Sequence, residues 1–390
     1  MKSSGKLKNI TLKIGSGSTP RGGKSVYLEN GPYKLIRSQN VYNHHYTSEG
    51  LAYITEEQAE KLKNVSLKEE DILINITGDS VARTTIVQNE MLPARVNQHV
   101  SIIRCKENLL DPYYLLAFLT SKDTQNYLLS LAQTGGTRAA LTKGMLEQLE
   151  IPLASYEVQK KIGNILKTLN EKIIVNNSII ISLENLSQTL FKHWFIDFEF
   201  PNAQGVPYKS SGSEMVESEL GEIPRGWKTI EFKEIMKISS GKRPKKKVND
   251  IDKENIIPII GASKLMGFTN EVLYNSPILV IGRVGTHGVV QKLIDPCWPS
   301  DNTLVIESEL YNFVYEFLRI IDYKSLNRGS TQPLIVQSDI KAQKLAFPIN
   351  ENLVEKFEST LTPLLEKQFL LKKKSKNSKN SVIPFSRNYY

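Results

Sequence analysis

A long internal repeat constrains the fold of this chain more than any other feature of its sequence. Each half carries a strand-rich segment that ends in a Gly-Thr or Gly-Ser-Thr turn, then a proline, then a long amphipathic segment. The turn residues Thr137 and Thr331 are 194 positions apart, whereas Pro152 and Pro348 are 196 apart, which indicates duplicated copies with small insertions. Solenoid repeats are far shorter, at most about 50 residues. The repeat therefore predicts two similar globular domains, each followed by a helix.

The match between the halves extends upstream of the turns. Residues 72–74, an Ile-Leu-Ile run, correspond to the Ile-Leu-Val run at 278–280, and the polar segment 97–100 corresponds to 301–304. A chain of 390 residues also exceeds the roughly 250 to 300 at which a single core stops growing. Length and repeat together predict at least two domains of the α+β class.

Composition limits the partners and the compartment. The formal net charge is +9, which favours a polyanionic partner. Two cysteines, Cys105 and Cys297, cannot form a CxxC pair or a zinc cluster, and their scarcity fits a reducing compartment, so we expect no structural disulfide and no metal. The segment from Gly17 to Ser25 has Ser18 where a phosphate-binding loop requires its first glycine, and we expect no cofactor. The first twelve residues lack the apolar core of a signal peptide, and no apolar run approaches the roughly 18 residues of a membrane span. We expect a cytoplasmic protein without a membrane partner.

The amphipathic segments predict long helices. Apolar residues recur from Val158 to Trp194 mostly at spacings of three, four or seven, and helix over 157–196 would make a rod of roughly 60 Å. A similar stripe runs from Leu353 to Leu371 into a lysine-rich tail, with Pro363 expected to kink that helix or mark its start. Antiparallel packing as a coiled coil with pseudo-twofold symmetry would bury both stripes. The alternative is that each helix docks separately on its own domain.

A Gly-, Pro- and Ser-rich stretch predicts a surface linker between the halves. The predicted organisation is a first domain at 1–154, a first spacer helix at 155–199, a linker at 200–227, a second domain at 228–349, and a second helix with a basic tail at 350–390.

Several short motifs accompany this layout. Gly17-Ser18-Thr19-Pro20 lies near the start of the first half, and Gly241-Lys242-Arg243-Pro244 stands at the matching place in the second. The second half opens with Leu-Gly-Glu-Ile-Pro-Arg-Gly-Trp at 220–227, a lead that the first half lacks. In their order and duplication these motifs resemble the specificity subunits of type I restriction-modification systems. The resemblance implies two target-recognition domains that each read half of a split double-stranded DNA target, with helices that set the gap and bind modification subunits in a complex that includes restriction subunits.

The residues themselves also fit DNA binding, which needs cations for phosphates and planar polar groups for base edges. Lys242 to Lys247 hold five cations in six positions, and Arg37 to Asn40 offer the side-chain types that pair with guanine or adenine. Candidate DNA-contacting residues are Arg21, Lys24, Arg37, Gln39, Asn40, Arg83, Thr84, Thr137, Arg138, Lys242, Arg243, Lys245, Lys246, Arg283, His287, Arg328, Thr331 and Gln332. Each of these residues alone could be a turn residue or a surface ion-pair partner. Their matched placement in the two halves favours a DNA-binding role for the group as a whole.

Catalytic motifs are weak. Asp111-Pro112-Tyr113-Tyr114 is close to the Asp-Pro-Pro-Tyr signature of adenine methyltransferases but lacks its second proline, and Asp-Pro before an apolar run predicts a helix start. The five histidines show no metal-ligand spacing, and His193 with Trp194 is expected to pack on a neighbouring helix.

We therefore predict a non-catalytic DNA-recognition subunit of a methylation and restriction complex. Two alternatives remain: a protein-interaction scaffold with incidental basic charge, and a methyltransferase or nuclease with unrecognised motifs.

Overall fold

A computed structural model of the chain describes residues 3–133, 139–284, 288–329 and 334–385, and for Ser3 and residues 376–385 it describes the backbone alone. The chain divides into two compact units. One comprises residues up to Ser178 together with the chain from Leu371, and the other comprises Ile179–Leu370. Both units mix helices and strands, in agreement with the predicted class and with a two-domain layout.

The first unit is built on a four-stranded antiparallel sheet of order β2-β10-β7-β8 and a three-stranded sheet of order β6-β3-β9. Its strands are β1 (Ser3–Lys6), β2 (Thr11–Ser16), β3 (Tyr33–Ile36), β4 (Val41–Tyr42), β5 (His45–Tyr46), β6 (Ala52–Ile54), β7 (Ile72–Asn75), β8 (Thr84–Ile86), β9 (Ala94–Val96), β10 (Val100–Cys105) and β11 (Glu150–Leu153). Its helices are α1 (Leu7–Ile10), α2 (Glu56–Lys61), α3 (Pro112–Thr120), α4 (Lys122–Gln133), α5 (Lys143–Gln148) and the long α6 (Tyr156–Phe191), whose last turns belong to the second unit. Two further antiparallel pairs join β1 to β11 and β4 to β5.

The second unit repeats this plan with sheets of order β15-β21-β18-β19 and β17-β16-β20. Its strands are β12 (Met215–Ser218), β13 (Gly221–Pro224), β14 (Trp227–Glu231), β15 (Lys237–Ser240), β16 (Ile257–Ile260), β17 (Leu265–Thr269), β18 (Ile278–Gly282), β19 (Val290–Leu293), β20 (Trp298–Pro299), β21 (Thr303–Glu307) and β22 (Lys344–Pro348). Its helices are α7 (Tyr311–Ile320), α8 (Gln337–Lys341) and the long α9 (Asn352–Phe385), whose end from Leu371 belongs to the first unit. Strand pairs β14–β22 and β1–β11 are equivalent, as are the parallel pairs β16–β20 and β3–β9.

Side-chain alternation along the central strands explains the apolar runs that marked the repeat. Ile72 and Ile74 of β7 lie in one core with the helices, whereas Leu73 between them lies in the other core against the three-stranded sheet. Likewise Leu279 of β18 and Val280 next to it lie in two different cores. Because successive side chains of a strand point to opposite faces, a sheet that is covered on both faces needs a continuous apolar strand.

Backbone hydrogen bonds correct the sequence alignment of the two halves by one residue. The Gly17 amide donates to the Val100 carbonyl at 2.8 Å, and the equivalent amide of Gly241 donates to Thr303 at 3.0 Å. Residues 97–100 are therefore equivalent to 300–303, not to the predicted 301–304. Polar turn residues carry little alignment signal, so only the hydrogen bonds set the register.

The stretch between α6 and the second unit's sheets is more ordered in structure than the predicted linker. After α6 the chain makes a π-helical turn, Lys192–Ile196. Residues 215–224 then form the antiparallel hairpin β12–β13, and Trp227 already begins β14 as a buried residue. Trp194 packs on Phe357 as predicted, but His193 is exposed. The prediction for His193 was wrong because the π-helical turn puts it on the outer side.

Helix boundaries follow local sequence signals in part. The Asp111 carboxylate accepts a hydrogen bond from the Tyr114 amide at 2.9 Å and Pro112 is the first residue of α3, which confirms the predicted helix start. Pro363 lies inside α9 and does not mark its start, which is at Asn352. Among the helices of the described chain, none combines the length and apolar character needed to cross a membrane.

Candidate nucleic-acid interface

In each unit a glycine directly after a strand of the four-stranded sheet lets two chain segments meet. Gly17 follows β2 and Gly241 follows β15. A Cβ on Gly17 would lie 2.1 Å from the Val96 carbonyl oxygen, and a Cβ on Gly241 would lie 2.1 Å from that of Ser300. Neither position tolerates a side chain, because real Cβ atoms do not approach an oxygen so closely. This close approach holds the segment after each glycine against the turn that precedes β10 or β21.

That turn presents two exposed polar residues in each unit. We call Asn97–His99 the first tip turn and Ser300–Asn302 the second tip turn. Their leading residues are buried, whereas the next two positions, Gln98 with His99 and Asp301 with Asn302, are exposed. In the first tip turn His99 Nδ1 lies 2.7 Å from Thr77 Oγ1, and Gln98 Nε2 lies 3.3 Å from His99 Nε2.

Two further segments join each tip turn through matched backbone hydrogen bonds. In the first unit the Ile76 amide donates to His99 O at 3.0 Å, and the Leu141 amide donates to Ile76 O at 2.8 Å. In the second unit the Arg283 amide donates to Asn302 O at 2.9 Å, and the Ile335 amide donates to Arg283 O at 3.0 Å. We call the turn at Gly17 or Gly241 the glycine turn, and we call each assembly of a glycine turn, a tip turn and these two segments a loop cluster.

Exposed basic residues follow Gly17 and Gly241 in the chain. Arg21 and Lys24, which follow the glycine turn of the first unit, are exposed. In the second unit Lys242 and Arg243 directly follow Gly241 and are also exposed, and Lys242 lies beside the second tip turn because its amide donates to Pro299 O at 3.0 Å.

The rest of the lysine run is partly neutralised by nearby carboxylates. Lys245 Nζ lies 3.6 Å from Glu271 Oε1, and Lys246 Nζ lies 3.6 Å from Glu254 Oε2. Both lysines keep at least half of their side chains exposed. Exposed pairs of this length contribute little, so both lysines can exchange a carboxylate for a phosphate.

The segment after β3 is held by its own turn. Arg37 donates to the Gly50 carbonyl and lies over the Tyr27 ring, with 5.4 Å from its guanidinium carbon to the ring centroid. Gln39 is exposed and donates to the same carbonyl at 3.2 Å. Asn40 is fully buried, and its amide group donates to the carbonyls of residues 47 and 49. Asn40 holds the turn and presents no edge to a ligand.

Arg83 belongs to a stacked set of side chains in the first unit. Its guanidinium lies 4.7 Å from the centroid of the Tyr42 ring, which in turn stacks on His45 at 4.9 Å. Stacking of this kind holds the arginine in place while it keeps its charge. Thr84 beside it is fully buried, with its hydroxyl donating to the Ala82 carbonyl at 2.9 Å.

Of the remaining candidate DNA-contacting residues, the structure describes two, Arg283 and Arg328. Arg283 is half-buried at the end of β18, inside the second loop cluster, and exposed Arg328 pairs with Asp339 of α8. Thr137, Arg138, His287, Thr331 and Gln332 lie outside the described residues. The segments that flank them, at 139–141 and 334–335, are parts of the loop clusters.

Sequence reasoning left out the four exposed tip-turn residues. A signal existed, because both halves place a short polar segment between two apolar strands at a matched position. In the described part of the chain no group of three or more His, Cys, Asp or Glu side chains is placed to hold a metal ion.

Known proteins of one family match this chain over most of its length. Residues 5–185 and 224–378 match the family described as Type I restriction modification DNA specificity domain. The Type I restriction enzyme MjaIX specificity subunit of Methanocaldococcus jannaschii is 26% identical over 389 residues, which cover 93% of this chain and 86% of that protein. The HindI specificity subunit of Haemophilus influenzae is 30% identical over 156 residues, 40% of this chain and 34% of that one. In fold, the S subunit of the type I restriction-modification system from M. genitalium aligns over 100% of this chain and 96% of its own, with a TM-score of 0.61 at 15% identity.

Proposed function

Because the chain belongs to the type I restriction-modification DNA specificity family, we propose that it recognises a two-part sequence in double-stranded DNA and directs methylation and restriction there. The chain supplies recognition and is not itself an enzyme; methyltransferase and restriction subunits supply the chemistry. We place this activity in the cytoplasm, where the DNA lies.

The observation that carries the proposal is the duplication of the loop cluster with different side chains. Both units build the same glycine turn, the same tip turn and the same flanking segments with equivalent hydrogen bonds. The exposed tip residues nevertheless differ, with Gln98 and His99 in one unit and Asp301 and Asn302 in the other. A constant scaffold with variable polar tips is what two domains that read different half-sites require.

The candidate residues divide into two kinds of contact. Arg21, Lys24, Lys242, Arg243, Lys245 and Lys246 are suited to phosphates, because they are exposed cations on the segments that follow the glycine turns. The other candidates remain proposed contacts to DNA. They are Arg37, Gln39, Arg83, Arg283 and Arg328, together with five that lie outside the described residues, Thr137, Arg138, His287, Thr331 and Gln332. We leave Asn40 and Thr84 out of the interface because both are buried and bonded within the first unit.

The two long helices are proposed to pack antiparallel and to act as the spacer between half-sites. In the first unit Asn176 of α6 donates to Ser375 of α9 at 3.2 Å. In the second unit Phe191 of α6 contacts Phe357 of α9, with 5.9 Å between ring centroids. From Asn176 to Phe191 the contacts move toward the carboxyl end of α6, while from Ser375 to Phe357 they move toward the amino end of α9. This order supports the antiparallel direction. We also propose that the two recognition domains span residues 1–154 and 228–349.

The proposal is tested by the salt dependence and the sequence dependence of DNA binding. The full chain, purified with its methyltransferase subunits, is titrated by fluorescence anisotropy against its target duplex, identified from the methylated motif, and a scrambled duplex. We expect affinity for both duplexes to fall steeply with salt and the target to bind at least ~10³-fold more tightly. Equal affinity for the two duplexes, or no salt dependence, would instead support a protein-interaction scaffold.

The enzyme alternative has its own test. The isolated chain is incubated with target DNA, a radiolabelled methyl donor and Mg²⁺, beside the assembled complex. We expect label in DNA only from the complex. Label or strand cleavage from the isolated chain would identify it as an enzyme.

A further inference from the structure

Asp301 is an exposed carboxylate in a turn that adjoins a basic segment of the chain. It lies at the tip of the second tip turn, exposed, next to the segment that carries Lys242 and Arg243. Within the described part of the chain its carboxylate makes no hydrogen bond or ion pair, although cations lie on the adjoining segment. A surface that bound only phosphates would gain from a neutral or basic residue here, because an anion repels them.

The second tip turn does not need Asp301 for its own stability. The Thr303 amide donates to Ser300 O at 3.0 Å, and the Thr303 hydroxyl donates to the same carbonyl at 2.7 Å. These two bonds close the turn around Asp301 and Asn302. The carboxylate is therefore held at the tip by other residues and is itself left without a structural task.

The equivalent position in the first unit is Gln98. The tip turns share their backbone pattern, since His99 O and Asn302 O accept from Ile76 and Arg283 in the same way. One turn thus presents an amide and the other a carboxylate. In the major groove a glutamine pairs bidentately with adenine N6 and N7, whereas an aspartate accepts from the N4 amino group of cytosine.

Resting on the proposed function, we propose that Gln98 and Asp301 are specificity-determining residues that contact base edges, with Gln98 reading an adenine in one half-site and Asp301 reading a cytosine in the other. The cations beside Asp301 hold the phosphate backbone and offset its repulsion. A carboxylate in this place weakens binding to random DNA and strengthens binding to the correct base, so it contributes discrimination rather than affinity.

The experiment compares Asp301→Ala, Asp301→Asn and a charge-matched control, Glu309→Ala, in the full chain with its methyltransferase subunits. Glu309 is exposed and lies beyond the opposite end of β21, about 17 Å of strand from the tip turn. Asp301→Ala should weaken binding to the target about 5- to 150-fold while binding to a scrambled duplex stays unchanged or becomes tighter. Asp301→Ala should also remove the requirement for cytosine at one position of one half-site in the methylated motif. Asp301→Asn keeps an acceptor oxygen and adds an amide donor, so it should extend recognition at that position to adenine. Glu309→Ala should leave both affinities and the motif unchanged.

Gln98→Ala extends the test to the first unit and should relax one position of the other half-site only. The inference is overturned if Asp301→Ala weakens binding to the target and scrambled duplexes equally, or if Asp301→Ala leaves the methylated motif intact. Such a result would leave the proposed function standing as long as the unaltered chain still discriminates its target. Loss of discrimination in the unaltered chain would overturn the proposed function instead.

Discussion

At Gly163 helix α6 passes so close to α3 that a Cβ would lie 2.1 Å from Asp111 Oδ1. Asp111 is the N-cap of α3 and its carboxylate accepts from the helix. In the second unit the N-cap is Leu310, which offers no side-chain bond, and Glu358 of α9 accepts from the Phe313 amide at 2.7 Å instead. Each unit thus has one carboxylate at this helix start, supplied by the cap residue in one and by the long helix in the other.

This exchange predicts coupling between the two positions. Gly163→Glu alone should destabilise the first unit by about 1 to 3 kcal/mol because the new side chain collides with Asp111. Adding Asp111→Leu should recover part of that loss, since the new glutamate can then cap α3 as Glu358 caps α7. Urea unfolding of both single variants and the double variant measures the coupling. Strictly additive effects would contradict the exchange.

The glycine turns allow a second test on single residues. Gly17→Ala and Gly241→Ala should each cost about 1 to 3 kcal/mol and weaken DNA binding, because the Cβ meets a backbone carbonyl that cannot move without the tip turn. Gly15→Ala is the matched control in β2, since nothing lies within 4 Å of its Cβ. Unfolding and anisotropy titrations should separate the two turn variants from the control. Equal behaviour of all three would show that the close approach is unimportant.

The lysine run should act by charge alone. Lys245→Ala with Lys246→Ala should weaken binding to all DNA and lower the salt slope by about two, as the loss of two phosphate contacts requires. Arg138→Ala or Gln332→Ala should instead cost about 1 to 3 kcal/mol on the target with little change on random DNA. Anisotropy titrations between low and physiological salt measure both quantities. An effect of the lysine pair on target DNA alone would reverse these roles.

At the scale of elements, the long helix α6 carries buried polar side chains beside its apolar stripe. Buried Asn176 of α6 donates to Ser375 of α9. Buried Ser187, also on α6, donates to the carboxylate of Glu316 on α7. Burial raises the pKa of Glu316 above its usual range. Buried polar pairs of this kind disfavour other registers, because a slipped helix would leave them without partners.

A length change in the helices should therefore change the spacing of the target. Seven residues inserted after Leu183, with seven matching residues between Leu365 and Gln368, should lengthen the gap between half-sites by about three base pairs, since a heptad adds about 10.5 Å. Methylome sequencing should show both half-sites unchanged. As a control, seven Gly and Ser residues inserted at the exposed turn of Gly205 should leave the gap as it was. An unchanged gap with altered half-sites would refute the spacer role.

At the scale of the whole molecule, each unit has its own sheets and its own cores. Domains with separate cores have few reasons to share base contacts. Exchange of residues 228–347 for the same region of a relative should therefore change one half of the methylated motif and leave the other half intact. Sequencing of methylated sites in cells that carry the exchanged chain measures this. A change in both halves would indicate one composite site.

The sequence by itself determined the features that repeat or that depend on near neighbours. The duplicated strands, the long helices and the start of α3 at Asp111-Pro112 were all predictable, because apolar periodicity and capping act over a few residues. The matched glycine turns at Gly17 and Gly241 were also readable, since each stands at the end of an equivalent strand.

Only the tertiary structure decided which polar residues face solvent and which segments meet. Asn40 and Thr84 were predicted at the interface but are buried, whereas Gln98 and Asp301 were left out and are exposed. The hairpin at 215–224, the one-residue correction of the tip turns, and the exchange between Asp111 and Glu358 likewise rest on contacts between segments far apart in the chain. Such contacts depend on how whole strands and helices pack, so local sequence patterns carry almost no signal for them.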